Sequence, residues 1–307
     1  MPEQIYAKPA EEMLWPGHSF CPGCAEPVLL RQVLSVLAED PSTSLGESKK
    51  KIIIFVTPAS CKSVCASFEA NAEKVFDMAS LFMSAPDRAT GLRMALDCYG
   101  IQDALVVPWM GDGAAFDIGF GSLSAAATRN ENILVFCHDN EAYMNTGIQQ
   151  SGSTPREAWT TVTTEGKKDA KKDIVRILAD HGVPYVATAA VAFLDDLREK
   201  VRKAKDIQGF RFIHLFTPCP TGWRLSENLS IEISRLAVAS RVFPLYEVFG
   251  GKKYVINKMP DKIPVDDYLR LQGRFRHLIK EKISEIQKSV DSQMDYLKKL
   301  SLIKSQA

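Results

Sequence analysis

The sequence predicts an α/β fold: a mostly parallel sheet with helices on both faces, followed by a C-terminal helical extension. Three observations carry that prediction. Short β-branched runs alternate with stretches of helical spacing, the pattern of βαβ units. The apolar runs are short and continuous, which suits buried strands. Each run ends in a polar cluster, and sheets of this class bind ligands beyond the carboxyl ends of their strands.

The elements follow in order. "EPVLLRQVLSVLAED" (26–40) spaces its apolar residues as a helix. "KIIIFVTPAS" (51–60) reads as a strand and "RATGLRMALDCYG" (88–100) as a helix. Residues 103–131 read as a strand, a Gly-rich turn and a helix of small residues. "NILVFCHDNEAYMN" (132–145) is a strand running into a polar loop. "KDIVRILADHG" (172–182) is a helix and "VPYVATAAV" (183–191) a strand. "LDDLREKVRKAKDI" (194–207) is a helix, and "GFRFIHLFTPCPTGW" (209–223) a strand ending in a loop. A further helix then leads to a hairpin turned at Gly250-Gly251. From about 264 to 303 the chain is charged and repeats apolar residues at threes and fours, as an amphipathic arm would. Two units are expected: residues 1–235 carrying the cofactors, and 236–307 as a hairpin and helical arm packing on partner subunits.

Composition narrows the function. The chain has 307 residues, 46% hydrophobic, enough for one large α/β domain with an extension. A net charge of +1, from 38 basic and 37 acidic residues, argues against nucleic acid as a partner. No apolar run reaches the length of about 18 residues that a membrane span needs. The first residues lack the basic-then-apolar order of a signal peptide, so a cytoplasmic setting is expected.

The strongest local motif is Gly111-Asp112-Gly113, then 25 residues, then Asp139-Asn140. A Gly-rich turn entering a helix offers bare N–H groups to a diphosphate. Asp112 offers a hard carboxylate and Asn140 an amide oxygen, the donors that Mg²⁺ takes beside phosphate and water. One helix separates them, so both strand ends reach the same ion. GDG alone is an ordinary strand-to-helix turn. With the Asn at this spacing it resembles the thiamine diphosphate motif. That resemblance implies Mg²⁺ held by Asp112, Asn140 and the Ala142 carbonyl. It places Gly111, Gly113, Ala114 and Thr146 along the diphosphate and Asn145 facing the thiazolium and substrate.

Seven cysteines in a reducing setting do not suggest a disulfide framework. Cys98 and Cys137 sit in apolar surroundings and are expected to pack in the core. Cys21 and Cys24 form CPGC before a helix, while Cys61 and Cys219 each end a strand. No strand leads into CPGC, so a thioredoxin-like role does not fit. Four convergent thiolates suit zinc or an iron–sulfur cluster, and CxxC alone does not decide between them.

"PGHSFCPGC", "TPASC", "GDGAAFDIGFGSLSAA", "DNEAYMNTGIQQSGSTP", "FTPCPTGW" and "LQGRFRHL", spread over about residues 16–277, resemble the β subunit of 2-oxoacid:ferredoxin oxidoreductases of the pyruvate-synthase type. The resemblance implies a thiamine diphosphate-binding fold and a 4Fe–4S cluster on Cys21, Cys24, Cys61 and Cys219, with Cys65 as the rival to Cys61. It implies oxidative decarboxylation of a small 2-oxoacid, with coenzyme A as acyl acceptor in the pyruvate case and ferredoxin as electron acceptor. An α subunit would supply the Glu that activates the aminopyrimidine, and other subunits the ferredoxin-type clusters. Glu26 and Glu141 match that Glu in chemistry only. The chain departs from the pyruvate pattern at "FEANAEKVFDMASLFMSAPDRATGLRMAL", where relatives carry "HNAFEN", and at Phe116, where Tyr is common. Both places are expected near the substrate, so oxalate is an alternative to pyruvate, with Arg88 or Arg93 of this chain, or equally the α subunit, supplying a cation for a dianion. Two rival functions remain. A non-redox thiamine decarboxylase or synthase subunit would leave the cysteines idle, and a zinc-stabilised binding subunit would leave GDG idle.

Overall fold

The structure is a computed structural model that describes residues 12–15, 17–39, 52–66 and 73–303. Helix α1 (Glu26–Leu37) precedes strand β1 (Ile52–Thr57), short helix α2 (Cys61–Ala66) and strand β2 (Phe76–Ala79). Helix α3 (Ala85–Cys98), strand β3 (Ala104–Gly111), a wide turn over Gly113–Ile118 and helix α4 (Phe120–Thr128) follow. Next come β4 (Leu134–Asp139), α5 (Ile174–Asp180), β5 (Tyr185–Ala190), α6 (Leu194–Asp206) and β6 (Arg211–Phe216). The chain closes with α7 (Pro220–Trp223), α8 (Ser230–Ala239), β7 (Tyr246–Phe249), β8 (Lys253–Ile256), α9 (Val265–Leu269) and α10 (Lys280–Leu302).

One eight-stranded sheet runs β2-β1-β3-β4-β6-β5-β7-β8. The first six strands are parallel, and the β7–β8 hairpin adds antiparallel to β5. Alternate residues of the central strands feed two separate apolar layers. Phe55, Val107, Trp109 and Phe136 pack with α1 and α6 residues such as Leu30 and Val201. Val56, Val106, Met110 and Val135 pack on the opposite face with Leu123 and Leu178. A sheet covered on both faces leaves its strand ends as the place for polar chemistry.

The sheet order fixes what meets there. Strands β1, β3, β4 and β6 are consecutive neighbours. Their carboxyl ends lead to Cys61, Asp112, Asn140 and Cys219 respectively. Neighbouring strands lie about 4.8 Å apart, so the four carboxyl ends span roughly 14 Å, and residues up to 158 positions apart in sequence leave one stretch of the sheet edge.

One expectation changes. Cys98 is exposed rather than packed in the core, because α3 buries Ala85, Ala89 and Arg93 on the face that excludes it. The hairpin joins the main sheet through β7 on β5. Helix α10 lies along β8 and α9 of its own chain, with Val290, Met294 and Leu297 buried. The stretch 67–72, within the departure from the pyruvate pattern, and the side chain of Cys65 lie outside the described residues.

Candidate functional site

The turn after β3 begins with Asp112, whose carboxylate is almost wholly buried. Ser151 Oγ donates to Asp112 Oδ2 at 2.5 Å. Burial first, and then the nearby Asp139 carboxylate, push Asp112 well above the ordinary carboxylate range. Gly113 has no room for a side chain: a Cβ there would run into the Tyr143 ring. That ring is held by a hydrogen bond from its hydroxyl to Asp117 Oδ2 at 3.0 Å.

Asn140, at the end of β4, occupies the centre of the site. One end of its amide lies 3.1 Å from Asp112 Oδ1 and 2.8 Å from the Ala142 carbonyl. With the oxygen at that end, the Nδ2 atom at the other end lies 3.7 Å from Cys61 Sγ. Cys61 Sγ is also 3.8 Å from Asn145 Oδ1. The structure therefore brings Asp112, Asn140, Ala142, Cys61 and Asn145 together. Thr146 is exposed on the same loop and donates to Gln149 Oε1 at 2.5 Å.

Cys24 and Cys61 pack against Phe20. Burial pushes the Cys24 thiol up, and Glu26, Cys219 and Cys21 are close enough to add to the effect. Burial pushes Cys219 up to about 11 against the Gly222 N–H, which donates to its Sγ at 3.3 Å. The CPGC turn is fixed by Gly23 at φ +72°, where a Cβ would overlap the Glu227 backbone. Ser230 Oγ donates to the Gly23 carbonyl at 2.5 Å. Among the described residues, no three His, Cys, Asp or Glu side chains gather as ligands of a single ion.

Three expected residues lie elsewhere. Phe116 is fully buried, with its ring 5.6 Å from that of His214, so it presents no surface to a substrate. The wide turn carries position 116 inward. Arg93 is buried and spends its guanidinium on the Ala104 and Ile101 carbonyls and on Asp97. Arg88 donates to the Ala79 carbonyl. Glu26 and Glu141 are both buried and engaged. Trp109 Nε1 donates to Glu26 Oε1 at 3.1 Å, while Lys171 and Arg274 hold Glu141 at 2.8 and 2.6 Å.

Comparison with known proteins places this geometry. The family model "Thiamine pyrophosphate enzyme, C-terminal TPP binding domain" matches residues 83–215. Pyruvate synthase subunit PorB of Methanothermobacter marburgensis is 42% identical, covering 92% of this chain and 96% of its own. Ketoisovalerate oxidoreductase subunit VorB of Pyrococcus furiosus is 39% identical over 98% of each chain. The chain belongs to the β subunits of 2-oxoacid:ferredoxin oxidoreductases. A solved 2-oxoglutarate:ferredoxin oxidoreductase from Magnetococcus marinus shares the fold of this β subunit at a TM-score of 0.62 and 21% identity, over 92% of this chain and 97% of that one. Among the described residues no helix is long and apolar enough to cross a membrane.

Sequence reading missed what holds the loop of this β subunit in place. Asp139 takes Lys171 and His214 at 2.7 Å and Ser153 Oγ at 2.5 Å. Trp223 Nε1 donates to the Asn140 carbonyl at 2.7 Å, with the Arg274 guanidinium 3.9 Å above its ring. Apart from Asp139 these groups lie outside the GDG…Asn stretch, so no local spacing announces them. Trp223→Phe removes the donor and, at this fully buried position, part of the packed indole, so the unpaired carbonyl sets the smallest loss. A buried carbonyl left unpaired costs about 1–3 kcal/mol, so chemical denaturation should show a loss of at least that size.

Proposed function

We propose that this β subunit binds thiamine diphosphate through Mg²⁺, carries one 4Fe–4S cluster, and works within an oxidoreductase that decarboxylates a small 2-oxoacid and passes electrons to ferredoxin. One observation carries the reading. An Asn140 amide end, Asp112 Oδ1 and the Ala142 carbonyl stand 2.8 and 3.1 Å apart at the tip of the GDG turn. Mg–O bonds of about 2.1 Å in an octahedron put neighbouring oxygens about 3.0 Å apart. Both separations from the Asn140 amide end match neighbouring corners around Mg²⁺, with the amide oxygen turned inward. Ser151 occupies Asp112 Oδ2 and leaves Oδ1 for the ion. The Tyr143 ring excludes any side chain at Gly113, and a Gly-rich turn entering a helix offers N–H groups to a diphosphate at Gly113 and Ala114. When bound, thiamine diphosphate supplies the electron sink that cleavage of the 2-oxoacid needs. Asn145, exposed beside Cys61, is suited to orient the substrate.

The thiols of Cys21, Cys24, Cys61 and Cys219 fit a cluster better than zinc. Around one Zn²⁺, Zn–S bonds of about 2.3 Å hold four sulfurs roughly 3.8 Å apart. Among the described residues no three thiols gather that way. The four thiolates of a 4Fe–4S cluster bind different irons and stand further apart. Burial keeps Cys24 and Cys219 protonated, so loading iron releases protons.

Both candidate glutamates are committed within this chain, which supports an α subunit as the source of the pyrimidine-activating Glu. Arg93 is likewise committed, to the Ala104 and Ile101 carbonyls and Asp97, while exposed Arg88 gives one N–H to the Ala79 carbonyl. That favours a monocarboxylate such as pyruvate or ketoisovalerate over the oxalate dianion, with coenzyme A as acyl acceptor. The test is anaerobic assay of the assembled complex with pyruvate, ketoisovalerate, 2-oxoglutarate and oxalate against methyl viologen. Viologen reduction with a monocarboxylate 2-oxoacid is expected. Reduction by none of the four would overturn the function, and reduction by oxalate alone would overturn the substrate class.

A further inference from the structure

We infer that the Asn140 side chain is a two-position switch through which cofactor binding sets the reduction potential of the neighbouring cluster. The inference rests on the cofactor and cluster assignments proposed above. The amide has one end between Asp112 Oδ1 and the Ala142 carbonyl, and its other end 3.7 Å from Cys61 Sγ. The first end therefore faces two acceptors at close range and one donor, the Ala142 N–H, further off at 3.4 Å. Without a cation there, the nitrogen satisfies both oxygens, at 3.1 and 2.8 Å. The amide oxygen then turns toward Cys61. With Mg²⁺ bound, the oxygen must face the ion, and the N–H turns toward Cys61 instead. One amide cannot serve both ends with its nitrogen, so loading the metal reverses the dipole presented to the sulfur.

The sign follows from electrostatics. Reduction adds an electron to the cluster and density to its thiolates. An N–H aimed at Cys61 stabilises that state, while a carbonyl oxygen aimed there opposes it. Hydrogen bonds to the sulfurs are among the factors that set cluster potentials. Mg²⁺ also polarises the amide and strengthens the donor. The cluster thus becomes a better electron acceptor when the cofactor is in place. Linkage makes this reciprocal: reduction tightens the metal-bound cofactor by the same factor. For one electron, a tenfold tightening equals about 59 mV.

The test uses the anaerobically purified complex with dithionite as reductant, followed by electron paramagnetic resonance against potential. The signal that Cys21→Ser removes belongs to this chain. Wild type should show a higher potential with thiamine diphosphate and Mg²⁺ than without. Asn140→Asp keeps an oxygen for the metal but has no N–H, so the cofactor-linked rise should shrink to less than half while cofactor is still retained on gel filtration. A rise of half the wild-type size or more in Asn140→Asp, or none in wild type, overturns the switch. A second measurement needs no variant. With ¹⁵N-asparagine, hyperfine coupling to the reduced cluster should appear only with cofactor and Mg²⁺, and its absence or its constancy overturns the inference. Two results reach further. A complex whose chain holds no iron or sulfide defeats the cluster assignment itself. A cluster that survives Cys61→Ser but not Cys65→Ser defeats only the switch.

Discussion

Asp112→Asn should yield a cofactor-free chain that is more stable than wild type and an enzyme that has lost its activity. Asp112 is nearly inaccessible, and burial together with Asp139 pushes its pKa up from the usual 3.8. A carboxyl whose folded pKa is raised binds protons more tightly when folded. Its stability contribution is therefore favourable at low pH and is lost as pH rises above about 3.8. An amide of the same shape carries no such cost. It still accepts from Ser151, and its NH₂ can meet the Asn140 oxygen. We expect a gain of about 1–2 kcal/mol at neutral pH, and a flatter dependence of stability on pH. Function moves the other way, because the substitution removes the one negative charge that the proposed Mg²⁺ site has beside its two neutral oxygens. Losing an outer partner of a metal site typically costs about 10–100-fold, and losing this inner ligand should cost more. Chemical denaturation across pH, with cofactor retention and viologen reduction, reads both effects. Retained cofactor with near wild-type activity would remove Asp112 from the metal site.

Lys171→Met should produce the largest loss of stability. Lys171 Nζ bridges Asp139 at 2.7 Å and Glu141 at 2.8 Å, two carboxylates with 0% and 2% exposure. Burial alone would raise Asp139, but Lys171 and His214 outweigh it and hold the group well below the ordinary range. Removing one partner of a buried pair costs about 3–5 kcal/mol. The lower end applies here, since Lys171 is 25% exposed, His214 still faces Asp139 and Arg274 still faces Glu141. A loss of about 3 kcal/mol lowers Tm by roughly 6–12 °C in a domain of this general size. The sign with pH is fixed. A depressed carboxylate contributes stability above its usual pKa of 3.8 and loses it as pH falls below. The variant's deficit should therefore be large at pH 7 and shrink toward pH 3. Scanning calorimetry at the two pH values checks this.

How much was readable depended on the range over which each signal acts. GDG and its Asn sit on adjacent strands joined by one helix, so a local spacing reported a spatial contact. The long buried strands announced themselves through unbroken apolar runs. Strand β2 did not, because it is a four-residue edge strand with a partly exposed pattern. The joining of Cys61 and Cys219 to one neighbourhood required the order β1-β3-β4-β6, which no single stretch encodes. The same holds for His214, Lys171, Trp223 and Arg274, which converge on Asp139, Glu141 and Asn140 from four separate segments. Phe116 was misplaced because the turn after GDG is wider than an α-turn and points that position into the core. Cys98 was misplaced because helical phase, not local polarity, decides which side of α3 is buried.

The proposed function has a metal-bound cofactor and an iron–sulfur cluster meet at Asn140. It is tested most directly by iron and sulfide analysis with electron paramagnetic resonance of the reduced complex, comparing wild type with Cys219→Ser. The variant should lose one 4Fe–4S cluster per chain, and its signal, while thiamine diphosphate and Mg²⁺ stay bound. Zinc in place of iron, or a signal unchanged by Cys219→Ser, would contradict it.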